Sequence, residues 1–419
     1  MEHIENLQSV NSKAKKKSGD DAHNQKWAIL SLSSIPLVMT LGNSMLIPVL
    51  PAMENKLNIT SFQTSMIITV YSIVAIILIP IAGFLSDHIG RKKVIIPSLL
   101  IAGIGGLISG WAAWKMADAY WIILAGRALQ GVGAAGAAPI VMPLVGDMFK
   151  NDDDVSSSLG LIETSNTFGK VLSPILGAFL AGFIWYLPFF SFPVFCTISI
   201  LLVFFLVKTP NKREEPIPLK EFWSNIKDTF KNNGKWLYAI FFIGAILMFV
   251  LFGILFYLSD VLEKTYDIKD VKKGLLLAVP LGALCLSSYL TGKKIKENKI
   301  LMKWIIFLGS VLVAAATAIL SFSNNMWFMI SMFLFAGVGI GVALPSLDAL
   351  ITEGIAKEER GTITSLYSSM RFIGVAGGPP VIAILLKHSD RGLFYILSGV
   401  TILAALAAII AIKPDANDT

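Results

Sequence analysis

The stretch that decides the fold is GFLSDHIGRKK, Gly83 to Lys93, which stands between two long apolar runs. Asp87 and Arg91 lie four positions apart, and Gly83 and Gly90 permit tight turns of the backbone. An ordinary basic loop would account for the cations but not for the two glycines and the aspartate. The residues therefore predict a compact charged hairpin between two membrane helices, able to hold two parts of the protein together through nearby helix ends.

The composition predicts a polytopic membrane protein. Of the 419 residues, 55% are hydrophobic and only 15% are charged, with a mean hydropathy of +0.70, which excludes an ordinary soluble domain. The apolar runs have the length of about 20 residues that a helix needs to cross a bilayer. Twelve spans are predicted, at 27–53, 61–85, 94–114, 119–143, 157–182, 184–207, 236–259, 273–292, 300–321, 326–350, 361–386 and 391–412.

The basic residues predict the orientation. With the N-terminus inside, 24 of the 35 Lys and Arg residues fall on the inner side, 8 on the outer side and 3 within spans. This bias places both termini in the cytoplasm of a cell, in a plasma membrane of bacterial type. The net charge of +7 is spread over loops beside the spans, so it does not indicate nucleic acid.

The chain divides around one long cytoplasmic loop. Within this loop, PLKEFWSNIKDTFK has the spacing of an amphipathic helix on a membrane surface. The predicted units are a disordered tail (1–26), an N-terminal six-helix bundle (27–207), a linker (208–235), a C-terminal six-helix bundle (236–412) and a short cytoplasmic tail (413–419).

The two bundles show an internal repeat. GVG followed by proline occurs from Gly131 to Pro139 and again from Gly337 to Pro345, an offset of 206 residues. The same offset relates Pro174 to Pro380. Duplicated six-span units that hold a ligand between them near mid-membrane are typical of alternating-access carriers.

Four motifs identify a family resemblance. The hairpin is similar to the loop signature G-x-L-x-D-x-x-G-R-[KR] of the major facilitator superfamily, and LGNSMLIPVLP (41–51), RALQGVGAAG (127–136) and GKVLSPILGA (169–178) resemble motifs of its drug:proton antiporters with twelve spans. The resemblance implies an all-α membrane protein of two pseudo-symmetric six-helix bundles, acting as a monomer. It also implies proton-coupled exchange, with no cofactor and no resident metal.

Charged residues inside the spans are the candidate sites for proton coupling. A charge in an apolar span is costly and is a functional hypothesis by default. Glu163 is the leading proton acceptor and Asp348 the second, since all four histidines lie in the tail or in loops. Arg127 is predicted to influence proton transfer, as the resemblance implies. The alternative is that Arg127 binds backbone carbonyls freed near the prolines of the first span.

Lys170, Arg371 and Asn43 are the candidate substrate-cavity residues. Lys170 and Arg371 lie near the middle of their spans, and Glu163 lies two turns before Lys170 on the same helical face, roughly 10 Å away by helix rise. The first span offers Asn43 where several members of the family have a carboxylate. A fixed structural ion network is the alternative for the charged residues.

Two further groups are assigned by the resemblance. Asp147 would pair with Arg91, and Asp87 would face the start of the eleventh span near Gly361, both only while the cytoplasmic side is closed. The small residues of the fifth span would form a packing hinge between the halves. This hinge comprises Gly169, Ser173, Pro174 and Gly177.

Three functions are compatible with the sequence. The first is proton-coupled export of a drug-like or lipophilic compound. The second is export of an anionic metabolite, siderophore or lipid-linked compound, because Lys170, Arg371 and Arg127 outnumber the buried acids. A receptor or enzyme is the remote third, because no nucleophile–base set, metal-ligand cluster or phosphate-binding loop is recognisable. The predicted partners are a small molecule, protons and the lipid bilayer.

Overall fold

The structure is a computed structural model that describes residues 25–148, 152–207, 219–295, 298–355, 357–387 and 390–413. Within these ranges the chain is helical with short connections and contains no strand. Most of the predicted N-terminal tail (1–24), residues 208–218 of the predicted linker and residues 414–419 lie outside the described part.

Twelve long helices follow one another in the described residues. Eleven of them are long and apolar enough to cross a membrane. The other, α5, is 32 residues long and is more polar because it carries Glu163 and Lys170. The helices are α1 (Gln25–Leu57), α2 (Ser61–Ile89), α3 (Arg91–Lys115), α4 (Tyr120–Met148), α5 (Asp152–Phe183), α6 (Leu187–Leu206), α7 (Leu219–Lys264), α8 (Asp270–Ile295), α9 (Lys299–Ile319), α10 (Met326–Gly354), α11 (Lys357–Leu385) and α12 (Asp390–Ala411).

Helix α1 is interrupted by its prolines. It is α-helical over 25–44, forms a 3-10 turn at Ile47–Val49 and resumes at Leu50–Leu57. Proline has no backbone N–H, so Pro51 cannot donate to the Ile47 carbonyl, which accepts from the Leu50 N–H of the 3-10 turn instead. The carbonyl oxygens of Ile47 and Pro48 also accept hydrogen bonds from the other half.

The predicted charged hairpin is tighter than a loop. Helix α2 runs to Ile89, four residues beyond the predicted end of the span, and α3 begins at Arg91. Gly90 alone separates them, with φ +104°, a conformation that side-chain-bearing residues rarely adopt. The glycine thus reverses the chain within one residue. The turn lies where the sequence predicts it, but the connection between the helices is shorter than the predicted hairpin.

The predicted linker helix continues into the seventh span. Helix α7 begins at Leu219 and passes through the predicted boundary at 235, with a kink at Gly234 (φ 11°, ψ −102°). The Phe230 ring packs against Tyr238 and Phe241, with centroids 5.0 and 5.5 Å apart. The end of the predicted linker helix therefore packs against the part of α7 that follows the kink, and its position on the membrane surface stays a prediction.

The two halves repeat the same packing. Helix α4 packs against α2 and α3, and six helices later α10 packs against α8 and α9. The repeated glycines explain this equivalence: a Cβ on Gly131 would lie 2.4 Å from the Tyr71 carbonyl of α2, and one on Gly337 would lie 2.2 Å from the Pro280 carbonyl of α8. Only glycine allows these close approaches.

The halves meet mainly through two helix pairs, α2 with α11 and α5 with α8. Thr69 Oγ1 on α2 donates to the Ala376 carbonyl on α11 at 2.8 Å. Across the other pair, a Cβ on Gly274 of α8 would lie 2.5 Å from the Pro174 carbonyl of α5. Shifting each helix by six positions along the chain converts one pair into the other, so the interface is pseudo-symmetric.

Candidate functional site

Four predicted charged residues lie together where the halves meet. The N-terminal half supplies Lys170 and Glu163 from α5, and the C-terminal half supplies Arg371 from α11 and Asp348 from α10. Lys170 interacts electrostatically with the other three. Arg371 Nη1 lies 3.4 Å from Asp348 Oδ1, and its guanidinium carbon lies 5.6 Å from the centroid of the Tyr367 ring. Each half thus contributes one cation and one carboxylate.

Lys170 is buried without a direct partner. Its side chain is 8% exposed, and no hydrogen bond or ion pair joins it to another described residue. Glu163 lies on the same helix but is held by Asn166, whose Nδ2 donates to both carboxylate oxygens at 3.2 and 3.3 Å. Thr40 Oγ1 of α1 donates to Asn166 Oδ1 at 2.6 Å. The amide therefore orients Glu163 while Lys170 stays unpaired.

Arg127 lies elsewhere, in a cage of neutral acceptors. Its side chain is fully buried, and it donates to the backbone oxygens of Ile67 at 2.8 Å and Gly42 at 2.9 Å. It also donates to Gln130 Oε1, and to Asn43 Oδ1 at 3.0 Å. Uncharged acceptors satisfy the guanidinium within one bundle, which favours the structural alternative over a role in proton transfer.

Asn43 belongs to this cage and not to the charged cluster. Its carboxamide oxygen accepts from Arg127, and the residue is 6% exposed. The sequence placed Asn43 in the substrate cavity because several family members have an acid in that helix. Arg127, counted above toward an excess of buried positive charge, also lies outside the charged cluster, which holds two cations and two carboxylates.

The small residues of α5 face α1. A Cβ on Gly177 would lie 2.0 Å from the Met45 carbonyl, and one on Gly169 would lie 3.1 Å from Leu37 Cδ1. Ser173 Oγ donates to the Gly169 carbonyl at 2.5 Å, and Pro174 turns its own carbonyl toward Gly274 of the other half. The motif therefore packs α5 both within its bundle and against α8.

Arg91 lies at the centre of the predicted latch. Its Nε lies 3.1 Å from Asp147 Oδ2, its Nη1 donates to Ser86 Oγ at 2.9 Å, and it pairs with Asp87. Asp147 belongs to the same half as Arg91, so this pair forms without contact between the halves. The geometry therefore does not require the cytoplasmic side to be closed for this pair to form.

A set of contacts at the predicted outer side was not predicted from the sequence. Lys273 at the start of α8 is 1% exposed; its Nζ lies 2.7 Å from the Pro48 carbonyl oxygen of α1 and 2.7 Å from Glu263 Oε2 of α7. Ser259 Oγ of α7 donates to the Ile47 carbonyl at 2.7 Å. Both carbonyls lie in the part of α1 that its prolines interrupt.

An ion pair completes these contacts. Lys264 Nζ of α7 lies 3.0 Å from Glu54 Oε2 of α1 and 2.7 Å from Asp260 Oδ1. We call the Lys273–Pro48 bond, the Ser259–Ile47 bond and the Lys264–Glu54 pair the outer lock, because all three join the halves at one end. The proline motif in α1 was the available signal, since it interrupts the helix at this point.

The described residues hold no group of His, Cys, Asp and Glu with the arrangement of a metal site. Cys196 is buried and Cys285 is half-buried, and both are free thiols. Cys285 is on α8, which packs against α5, the helix of Lys170.

Two pseudo-symmetric helical bundles with buried charges between them define a multi-pass membrane transporter of the alternating-access class. The Major Facilitator Superfamily model matches residues 32–379 and 299–418. The chain belongs to this superfamily.

Relatives of this chain are efflux transporters. It is 56% identical over 385 residues to the bacillibactin exporter of Bacillus subtilis (strain 168), covering 92% of this chain and 94% of that protein. It is 25% identical to multidrug resistance protein 2 of the same organism, covering 94% and 97% of the two chains. It is also 25% identical to the class C tetracycline resistance protein of Escherichia coli, covering 88% and 92%.

A solved structure shows the same fold. The human organic anion transporter MFSD10 superposes with a TM-score of 0.73 at 15% identity, covering 92% of this chain and 99% of that chain. The family and its relatives carry small molecules across membranes and are not enzymes, so the prediction of a transporter is confirmed.

Proposed function

We propose that this chain exports a siderophore such as bacillibactin, in exchange for protons, by alternating access of a site between its two halves. The observation that carries the proposal is the cluster of Lys170, Arg371, Glu163 and Asp348, to which each half contributes one cation and one carboxylate. The 56% identity to a bacillibactin exporter supports the choice of substrate.

The cations and the carboxylates have different roles in this proposal. Lys170 and Arg371 attract the acidic groups of the substrate. Glu163 accepts hydrogen bonds from its hydroxyl or amide donors, with Asp348 as a second acceptor. A protonated carboxylate loses acceptor capacity. Proton binding and substrate binding at Glu163 therefore oppose each other, as exchange requires.

The membrane potential assists the export of an anion. An elementary charge that crosses the membrane gains or loses about 2.3 kcal/mol per 100 mV. With the cell interior negative, a substrate that leaves as an anion moves down this potential. The orientation proposed here has both termini in the cytoplasm of a bacterial cell, and the working unit is a monomer.

Transport into inside-out membrane vesicles tests the function. Vesicles carrying the protein and given an acidic lumen should accumulate bacillibactin, and a protonophore should abolish this accumulation. Vesicles without the protein provide the control. Accumulation of a cationic dye in place of bacillibactin would overturn the proposal.

That result would establish the second candidate, efflux of drug-like compounds. The 25% identity to multidrug resistance protein 2 favours it. The charged cluster does not distinguish the two candidates, because its two carboxylates attract a cationic drug as its two cations attract an anionic substrate.

A further inference from the structure

We propose that Tyr367 is a positioning residue for Arg371, and that a row of aromatic rings makes its position depend on the linker helix, residues 219–233 of α7. This aromatic row consists of Phe230, Phe241 and Tyr367. The effect on the linker helix is independent of the substrate, whereas the effect on substrate binding rests on the proposed function.

The linker helix contacts the span that follows it only because α7 bends. Phe230 precedes Tyr238 by 8 residues and Phe241 by 11 residues. In a straight helix these separations correspond to about 12 Å and 16 Å along the axis. The ring centroids are instead 5.0 and 5.5 Å apart. The bend at Gly234 therefore folds the linker helix back, and straightening α7 would withdraw Phe230 from both rings.

Gly234 is suited to act as the hinge of this movement. It is the residue inside α7 whose backbone departs from the helical conformation. A Cβ at this position would meet nothing within 4 Å, so no packed neighbour holds the bend. The linker joins the two halves along the chain, and a change in their relative position therefore acts on this hinge.

Tyr367 of α11 is held in place by packing against α7. Its ring centroid lies 5.8 Å from that of Phe241. A Cβ on Gly244 would lie 2.6 Å from Tyr367 Cε2, so the tyrosine ring fills the space that a side chain on α7 would need. Tyr367 is 1% exposed, and its hydroxyl has no hydrogen-bond partner in the described part of the chain. A shift of Phe241 therefore shifts Tyr367, because no hydrogen bond of the hydroxyl opposes it.

Arg371 follows Tyr367 by one helical turn and lies over its ring. The guanidinium carbon is 5.6 Å from the ring centroid, within the range of about 6 Å for attraction between a cation and an aromatic face. The contact of Arg371 with Asp348 Oδ1 measures 3.4 Å, which is long for a charge-assisted hydrogen bond. The ring therefore contributes to the orientation of the guanidinium, and its displacement leaves Arg371 less firmly held.

Double electron–electron resonance between spin labels at Ser224 and Lys294 measures the position of the linker helix without substrate. Both positions are exposed, and both lie in α7 and α8 of the same half, so rocking of the halves does not itself change this distance. Cys196 and Cys285 are replaced by serine. Gly234→Ala should populate a second distance, because alanine favours a straight helix.

Variants of the aromatic row should displace the linker helix from either end. Tyr367→Leu should populate the second distance about fivefold more than the wild type, as Phe230→Ala does, because coupling between two sites is reciprocal. Tyr367→Phe loses only the unbonded hydroxyl and should give the wild-type distribution. Lys231→Ala changes an exposed residue beside Phe230 and is the matched control. Phe241→Leu interrupts the same row and decides the matter if Tyr367→Leu does not fold.

Binding of bacillibactin to the purified full-length protein tests the effect on Arg371. Phe230→Ala and Tyr367→Leu should each weaken binding about threefold to tenfold, the range expected for a lost contact between a cation and a ring. The double variant should bind about as well as Tyr367→Leu alone, because both substitutions act through the same ring. Tyr367→Phe should bind like the wild type.

The outcomes separate this inference from the proposed function. A wild-type distance in every variant would overturn the connection between the linker helix and Tyr367. Unchanged affinity in Phe230→Ala and Tyr367→Leu, or additive losses in the double variant, would overturn the positioning of Arg371. A protein that binds no bacillibactin would contradict the proposed substrate, while a displaced linker helix in Tyr367→Leu would still support the connection.

Discussion

The ammonium of Lys273 in the C-terminal half donates to the carbonyl oxygen of Pro48 in the N-terminal half across 2.7 Å. This carbonyl lies in the part of α1 that its prolines interrupt, and Glu263 supplies the compensating charge at 2.7 Å. A buried cation therefore links a proline-broken helix of one bundle to the other bundle. Opening the outer side has to break this bond.

Lys273→Met should shift the protein toward outward-open states. The variant removes the bond to Pro48 but keeps the length and apolar stem of the side chain. We expect labelling of cysteines introduced beneath the lock from the outer side to rise about tenfold, with lower net transport. Lys269→Met is the control, because Lys269 pairs with Asp267 and is 58% exposed. Equal labelling in the two variants would contradict a role for Lys273 in closure.

Gly274→Ala should separate α8 from α5. A Cβ at this position would lie 2.5 Å from the Pro174 carbonyl, and backbone on both sides cannot yield cheaply. We expect the outer-closed state to lose about 1–3 kcal/mol of stability, and transport to fall with it. Gly282→Ala on the same helix meets nothing within 4 Å and should transport normally. Transport should be measured at equal amounts of inserted protein, and normal activity in Gly274→Ala would argue against close packing at this point.

Arg127→Lys should destabilise the N-terminal bundle. Lysine retains the charge but cannot direct bonds to Ile67, Gly42 and Asn43 at once, because its donors are on a single nitrogen. The expected loss is about 2–5 kcal/mol, seen as a lower melting temperature in detergent and a smaller folded yield. A variant that is as stable as the wild type but has lost the pH dependence of transport would instead support proton transfer by Arg127.

Asp87→Asn should lower transport without unfolding the protein. The variant loses the ion pair with Arg91, which still keeps Asp147 and Ser86 as partners. We therefore expect normal expression and thermal stability. The outward-open state should be less populated, because Asp87 is predicted to face the start of α11 in that state. Asp147→Asn removes the other carboxylate on Arg91 and should lower transport less, because Asp147 and Arg91 belong to the same half. Wild-type transport in both variants would count against the latch.

Glu163→Gln should retain binding and lose the response to a pH gradient. Glutamine keeps the side-chain shape and a hydrogen-bonding group, but it does not titrate. In inside-out vesicles, accumulation of bacillibactin driven by an acidic lumen should fall to the level set by the membrane potential alone. If the pH gradient still drives accumulation, the proton site is elsewhere, and Asp348→Asn is the variant to measure next.

The architecture was accessible from the sequence because its signals are local. The apolar runs predicted the spans. The repeated glycines at Gly131 and Gly337 predicted the two halves, because each glycine is required by one close helix crossing. Gly90 likewise marked the turn. The single-residue connection and the continuity of α7 through Gly234 were not predictable, because they depend on how far each helix extends beyond its apolar core.

The candidate site could be predicted only in part from the sequence. Lys170, Glu163, Arg371 and Asp348 were found because charges in apolar spans are costly, whatever their partners. The acceptors of Arg127 are 60 and 85 residues away in sequence, and those of Lys273 include one 225 residues away. Such long-range pairings carry no local pattern. Lys273 also stands at the start of a span, where a lysine resembles an ordinary interfacial residue.

The central claim is that the two halves rock about the charged site, with the outer lock closed in the state described here. The most direct test is the distance between spin labels at Lys56 and Lys272, exposed positions beside the lock on opposite halves, in protein whose Cys196 and Cys285 are replaced by serine. Double electron–electron resonance should show a short and a long distance whose proportions change with pH and with bacillibactin, and Lys273→Met should favour the long one. One fixed distance under all conditions would contradict the account.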